Sequence, residues 1–510
     1  MIDFPIWADL GMDTTSKEHK DGWEGELGRA QKYWYYFTGH IFKETVDEYE
    51  LGADIPLMYP VGLNLTRMLC MAHADSTYGE WEGIPVTFDP VSENVPQDGD
   101  EEASKLMSKV LRHSQAASLL WKVELERQIF GGSVIKISPS LDKKGIVRWQ
   151  HIPKGSFFPI WDPANPNNLL QVEIVTILSL EQAKLKYNFV PKDITQNVTR
   201  VEKWDKSTFE IRMNDDVVRS GTNPWGRVPF VYIPRFRVND WWGEALTEII
   251  MPLQDEMNMR IGDIGEAINY NTHPVRWGLN LAKNFTQQNF PLGSNAMWDL
   301  GRALGSSPAP SVGALELKNP IPEGTFKYVN FLYDWARTAS FAPPIAFGED
   351  DGGGQRSGAT LEIRMWPLIK ATTRSRAFLH DGLTEAMKIT ALIYKQKGFP
   401  GVDEKAIEAI LEDRIDIGFG NMLPRDQKSS VDEVVKLLST SPPSISLETA
   451  VDILGRGPGE YARILAMIKH PELKEFFEEK EAETPIGSEE DTEKKNKDEV
   501  AKAKTGKEPK

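Results

Sequence analysis

The sequence predicts an α+β fold, on three observations. Between Ile84 and Ile233, short runs of β-branched and aromatic residues are separated by turn residues. From Trp242 onward, apolar residues recur three or four apart, the spacing of one face of a helix. Residues 274–322, rich in Gly, Pro, Asn and Ser, then interrupt that helical half with a small non-helical insert.

Residues 22–43, with Trp34, Tyr35, Tyr36 and Phe37 in a row, predict a helical, buried N-terminal element. Residues 60–73 and 101–130 predict two further helices. The second is long, carries Leu106, Val110, Ala117, Leu120 and Val123 at helical spacing, and stops at Gly131-Gly132. Strands are expected at 84–88, 133–137, 145–149, 170–175, 209–213 and 228–233, closing an α+β region near Arg237. A helix over 242–271 follows from Leu246, Ile249, Ile250, Leu253, Met257, Ile261, Ile264 and Ile268. Pro252 kinks it or marks its start, and it ends before His273-Pro274 because a proline disfavours helix in the residue before it.

A second helix is expected over 324–339, through Phe326, Val329, Leu332, Tyr333 and Ala336. Two prolines, a glycine triplet and three consecutive acids make 341–358 a loop. A very long helix should follow over 359–396, bent near Pro367, with Leu361, Met365, Leu368, Leu379, Leu383, Ala386 and Ile393 on one stripe. Shorter helices over 431–438, 446–454 and 459–468 and an isolated strand over 413–419 complete the chain. The stretch 480–510, almost without bulky apolar residues, is expected to be disordered.

At 510 residues, 40% apolar and 26% charged, the chain is long enough for roughly three or four domains of about 150 residues each, which excludes a disulfide-stapled miniprotein. A net charge of −16 repels nucleic acid and anionic membrane unless basic groups gather locally. The single cysteine, Cys70, forms neither an internal disulfide nor a Cys-rich metal site. No secretion-type N-terminus and no apolar run of roughly 18 residues occurs, so an intracellular, soluble chain with no membrane partner is expected. The 15 tryptophans, scattered from Trp7 to Trp366, read first as packing and subunit-interface residues and second as sugar-stacking platforms.

Sites of catalysis are hard to find. The closest approach to a P-loop, Gly301-Arg-Ala-Leu-Gly-Ser-Ser, lacks the lysine that reaches the phosphates, and the glycine triplet at Gly352 follows no strand as a dinucleotide fingerprint requires. The eight histidines form neither His-x-x-x-His nor His-Glu-x-x-His, and no Gly-x-Ser-x-Gly elbow appears. No catalytic residue, cofactor or metal is therefore expected. Glu349, Asp350 and Asp351 read as a solvated acidic loop ahead of a cation site. Arg364, Lys370, Arg374 and Arg376 cluster in the first turns of the long helix, where they meet phosphates or pair with nearby acids.

The order of these elements resembles the portal (head-to-tail connector) proteins of tailed double-stranded DNA bacteriophages. The stretches that carry the resemblance are Asn223-Pro-Trp-Gly-Arg-Val-Pro-Phe-Val-Tyr-Ile-Pro, Leu253-Gln-Asp-Glu-Met-Asn-Met-Arg-Ile-Gly-Asp-Ile-Gly-Glu-Ala-Ile-Asn-Tyr, and Ala342-Pro-Pro-Ile-Ala-Phe-Gly through Ser357-Gly-Ala-Thr-Leu-Glu. Helix, insert, helix, loop and long bent helix follow one another over roughly residues 25–470.

The resemblance implies a non-enzymatic ring of twelve subunits at one capsid vertex, with double-stranded DNA passing through its channel. It implies a wing (1–240), a stem helix (241–273), a clip (274–322), a second stem helix (323–340), a tunnel-loop region (341–358), a long bent wing helix (359–398), a crown (399–479) and a disordered charged tail (480–510). The tunnel loop would hold Glu349, Asp350, Asp351, Gly352, Gly353, Gly354, Gln355 and Arg356, and the tunnel wall Arg364, Lys370, Arg374 and Arg376. Implied partners are the terminase large subunit, the head-completion or adaptor protein, and the major capsid and scaffolding proteins. The implied location is the virion, with the host cytoplasm during assembly.

Two rival readings stand beside this one. Another virion structural protein, capsid or tail adaptor, would be equally acidic and Cys-poor. An intracellular carbohydrate-active enzyme is suggested by the tryptophans and carboxylates, but strands and helices do not alternate as a barrel needs and no carboxylate pair stands out.

Overall fold

The structure, a computed structural model, describes residues 17–39, 62–79, 84–91, 97–140, 143–191, 197–238, 241–272, 276–279, 309, 311–314, 323–349, 358–422 and 427–439, with single positions at 444, 446, 447, 450, 451 and 464. Helix and strand mix throughout, so the chain is α+β. It divides into two compact units, Met1–Leu423 and Pro424–Lys510.

In the first unit, helix α1 (Lys17–Thr38) buries Ala30, Tyr33 and Phe37, three and four residues apart. Helix α2 (Leu65–Tyr78) starts later than residue 60 because its first amides find partners only from Asn64 on. Asn64 Oδ1 accepts from Arg67 N at 2.8 Å, and Gln254 Oε1 accepts from Leu65 N at 2.6 Å and Thr66 N at 3.3 Å.

The single helix expected over 101–130 is two helices, α3 (Asp100–His113) and α4 (Ala116–Phe130), with β1 (Val86–Pro90) before them. Gln115 between them is left-handed, at φ 57°. The Ser114 hydroxyl donates to Val110 O at 2.7 Å and accepts from Trp149 N at 2.9 Å. The apolar spacing runs through the break and so conceals it. Helix α4 ends, as expected, at left-handed Gly131, where an added Cβ would lie 2.0 Å from the Gly243 carbonyl oxygen.

Strands β2 (Gly132–Pro139), β3 (Val147–Ile152) and β9 (Phe230–Pro234) form an antiparallel sheet in the order β3-β2-β9. A second antiparallel sheet runs in the order β4 (Phe157–Asp162), β5 (Asn165–Ser179), β6 (Asn197–Asp205), β7 (Thr208–Met213), β8 (Asp216–Thr222). Between β5 and β6, helix α5 (Leu180–Tyr187) is closed by a capping box of Ser179 and Gln182. Strands β4, β6 and β8 and helix α5 were not expected. Strand β4 carries Pro159, β8 is exposed along its whole length, and β6 buries Glu202 between Lys136 and Arg200, which breaks its apolar alternation.

Helix α6 (Leu246–Thr272) holds Pro252 inside it and is followed by the antiparallel pair β10 (Arg276–Leu279) and β11 (Ser311–Ala314). Most of the insert expected over 274–322 lies outside the described residues. Helix α7 (Glu323–Ala339) packs on α6 through Val329, Leu332, Tyr333 and Ala336, which join Leu253, Met257 and Ile261. The long helix α8 (Gly358–Lys397) matches its expected span within two residues and contains Pro367.

The C-terminal half of α8 is the spine of the largest core. Leu379, Leu383, Met387 and Tyr394 pack there with Leu120, Val123, Ile135 and Trp149, each such side chain contributing about 1.5–3 kcal/mol. Trp149 Nε1 donates to Thr390 Oγ1 at 2.8 Å, and the Tyr394 hydroxyl accepts from Val147 N at 3.1 Å.

The strand read as isolated is β12 (Ile415–Phe419), antiparallel to β1 with Phe88 opposite Ile417. Helix α9 (Glu404–Leu411) buries Ile407 and Ile410 in the same core as α3 and α8. Residues 399–422 therefore lie in the first unit, and the wing expected over 1–240 shares its core with α8. In the second unit, helix α10 (Gln427–Leu438) buries Val434 and exposes Val431 and Val435. Most of the expected helices over 446–454 and 459–468, and the tail over 480–510, lie outside the described residues.

The tryptophans divide by environment. Trp149 and Trp225 are core residues, Trp161 stacks on Trp241 and meets Trp242 edge-on beside Tyr232, and Trp277, Trp335 and Trp366 are about half exposed.

Candidate functional site

The segment that joins α7 to α8 is rooted at 340–349. Helix α7 ends in a Schellman motif, with Phe341 N donating to Thr338 O at 3.1 Å and Ala342 N to Arg337 O at 2.9 Å. Phe341 sits at the left-handed position of that motif, φ 60°, where glycine is usual. The buried Ser340 donates its hydroxyl to Arg337 O at 2.9 Å, and its carbonyl lies 2.7 Å from His73 Nε2. A carbonyl only accepts, so Nε2 carries the hydrogen. Burial, reinforced by the nearby Arg235 charge, pushes the His73 pKa down to about 3 and keeps the ring neutral.

Pro344–Phe347 form one turn of 3-10 helix, after which Glu349 folds back on α7. Its carboxylate accepts from Arg337 Nη1 at 2.6 Å. Arg337, only 6% exposed, also pairs with Asp334 and lies 4.2 Å over the Tyr333 ring. Glu349, expected on a solvated acidic rim, is about half exposed, and its charge is matched by the largely buried Arg337 guanidinium. Asp350, Asp351, Gly352, Gly353, Gly354, Gln355 and Arg356 lie outside the described residues.

On α8, Trp366, Lys370 and Arg374 are four residues apart and form one exposed stripe. Lys370 Nζ lies 4.4 Å over the Trp366 ring, and the Arg374 guanidinium 5.8 Å from the Phe341 ring. Among the described residues no carboxylate pairs with Lys370 or Arg374. Arg364 is half-buried on the same half of the helix.

Arg376 differs from these. Its Nε donates to Thr77 O at 2.6 Å and its Nη2 to Gly420 O at 2.8 Å, with the guanidinium over Phe419. Burial lowers its pKa to about 10, so it stays charged while tying α2 to the end of β12. Arg376, expected on the tunnel wall, spends these donors on backbone carbonyls of its own subunit.

Beneath the stripe, α8 is tied to the core. Thr372 Oγ1 meets Ser76 Oγ at 3.2 Å, and Ser375 O accepts from Arg127 Nη2 at 2.7 Å. Arg127 is fully buried, pairs with Glu124, and donates to the carbonyls of Pro234 and Arg235. Glu124 also accepts from Thr77 Oγ1 and Gln128 Nε2. Sequence reasoning missed Arg127, His73 and Arg337. The i,i+3 spacing of Glu124 and Arg127 was visible, but their burial was not.

The outer face of α7 presents Tyr328, Phe331 and Trp335, each between 42% and 57% exposed, with Phe331 and Trp335 stacked at 6.3 Å. An apolar surface on a helix already packed along its other face has the character of a protein–protein contact.

Among the described residues no group of three or more His, Cys, Asp or Glu side chains is arranged to hold a metal ion, and no helix is long and apolar enough to cross a membrane. What the site offers chemically is two exposed cations backed by aromatic rings, which attract phosphate without a fixed register. No protein-family model matches the chain, and no curated protein matches it.

Proposed function

We propose that this chain is the subunit of a bacteriophage portal: a homo-oligomeric ring, without enzymatic activity, through which double-stranded DNA enters and leaves the capsid. The observation that carries this reading is the order and packing of α6, α7 and α8. Two paired helices flank an insert that contains a β-ribbon, and the second leads through a short segment into a 40-residue helix with an exposed basic stripe in its first half. In this reading α6 and α7 are the stem, 274–322 is the clip that meets the terminase and the adaptor, and Lys370 and Arg374 are the charges closest to DNA. The aromatic face of α7 supports assembly. A patch on one side of a subunit that fits a different patch on its neighbour is a heterologous contact, the kind that closes into rings.

The charge balance suits a conduit. Twelve copies at −16 carry about −190, which repels a polyanion broadly and leaves sparse cations to make weak contacts that slide. Reversing both stripe cations, as K370E/R374E, should leave ring assembly intact and reduce the fraction of DNA-filled heads on a density gradient. Heads that fill normally with this variant would remove the stripe from the channel.

A further inference from the structure

We infer that Phe341 is a positioning residue, retained at a glycine-type helix terminus because its ring holds the Arg374 guanidinium outward, un-neutralised by any carboxylate among the described residues, for a phosphodiester backbone; this rests on the portal reading above. Three features of the terminus call for glycine. The backbone is left-handed, where a Cβ crowds the following carbonyl. Both Schellman bonds are formed by main-chain atoms alone. The apolar contact that usually completes the motif falls to the next residue, Ala342, which is 1% exposed. Phe341 is 45% exposed, so burial holds its ring only in part. The bonds from His73 and Ser340 hold the strained backbone from the other side.

The Arg374 guanidinium, on the facing helix, lies over the ring at 5.8 Å from its centroid. Lys370 is held the same way by Trp366, one helical turn away. Two consecutive cations are thus each oriented by an aromatic face. A carboxylate would orient a guanidinium equally well but would cancel its field, whereas a ring fixes its direction and leaves the charge available. The arginines whose work is internal are treated differently. Arg337 is neutralised by Glu349 and Asp334, Arg127 by Glu124, and Arg376 is bonded to two carbonyls.

The experiment uses the purified full-length protein and a linear DNA duplex, with affinity measured against salt for R374Q, F341G, F341Y and the R374Q/F341G double variant. R374Q should weaken binding, F341G should weaken it by roughly two- to fivefold, F341Y should bind as the parent, and the double variant should bind no more weakly than R374Q. F341G should also melt at the parent temperature or above it, since glycine relieves the left-handed strain. Loss of affinity with R374Q and none with F341G would overturn the positioning role while leaving the portal reading in place. A fall in melting temperature with F341G would make the ring a packing residue and overturn it too. Full affinity in R374Q, and in K370Q measured beside it, would remove DNA from the stripe altogether, and both the inference and the stripe's place in the channel with it.

Discussion

Removing the Arg127 guanidinium should detach the first half of α8 from the sheet it crosses. Arg127 and Glu124 are both fully buried. The guanidinium is the shared donor for the carbonyls of Pro234 and Arg235 at the end of β9 and of Ser375 on α8, at 3.0, 3.3 and 2.7 Å from Nη2. Arg127→Met fills much of the volume but leaves a buried carboxylate without its cation and three carbonyls without this donor. Breaking a buried, hydrogen-bonded pair from one side costs about 3–5 kcal/mol. Much of that cost is the stranded Glu124 charge, so Glu124→Gln combined with Arg127→Met should recover a substantial part of it. Urea unfolding followed by tryptophan fluorescence measures both variants, because Trp149 and Trp225 sit in the core that the pair supports. A loss under about 1 kcal/mol for Arg127→Met, against that range, would refute the view that this pair fastens α8.

Other expectations follow from the same geometry. His73 is neutral when folded, with a pKa of about 3, and titrates near its ordinary value of 6.5 when unfolded. The unfolded chain therefore binds the extra proton. The stability that the neutral ring contributes is full above pH 6.5 and falls as the pH drops toward 3, by up to about 1.4 kcal/mol per pH unit. His73→Gln, which keeps a donor for Ser340 O, should flatten that slope in acid unfolding; an unchanged slope would contradict the assignment. Gly131→Ala should prevent stable folding, because its Cβ would sit 2.0 Å from Gly243 O in a left-handed backbone, and a soluble variant with parent circular dichroism and melting temperature would count against that close approach. Trp149→Phe leaves Thr390 Oγ1 without its indole donor and opens a void, and should cost about 1–3 kcal/mol in the same urea assay; no change would show that the core repacks around it.

How much of this was legible in the sequence depends on whether the signal is local. Helices α7 and α8 were read to within one residue, and α6 to one residue at its end but four at its start, because apolar spacing, Pro274 and the Gly-rich segment after α7 mark them within a few turns. The break at Ser114-Gln115 was hidden because the apolar stripe continues across it. Strand β6 was hidden because its one deeply buried charge, Glu202, is compensated by Lys136 from another strand. The pairing of β1 with β12 joins residues more than 300 positions apart, and no local pattern announces it. At the site, Lys370 and Arg374 could be picked out as basic positions on one helix. That Arg376 turns inward could not, since its partners, Thr77 O and Gly420 O, are backbone groups that any sequence provides. The left-handed Phe341 carries no mark in the sequence at all, because the residue type argues against the conformation it adopts.

The most direct test of the portal reading is the mass and shape of the purified protein, by native mass spectrometry with negative-stain electron microscopy. A ring of about a dozen copies of the 57.5 kDa chain, about 690 kDa with a central hole, is the predicted result. A chain that stays at 57.5 kDa at high concentration, with the aromatic face of α7 still exposed, would contradict it.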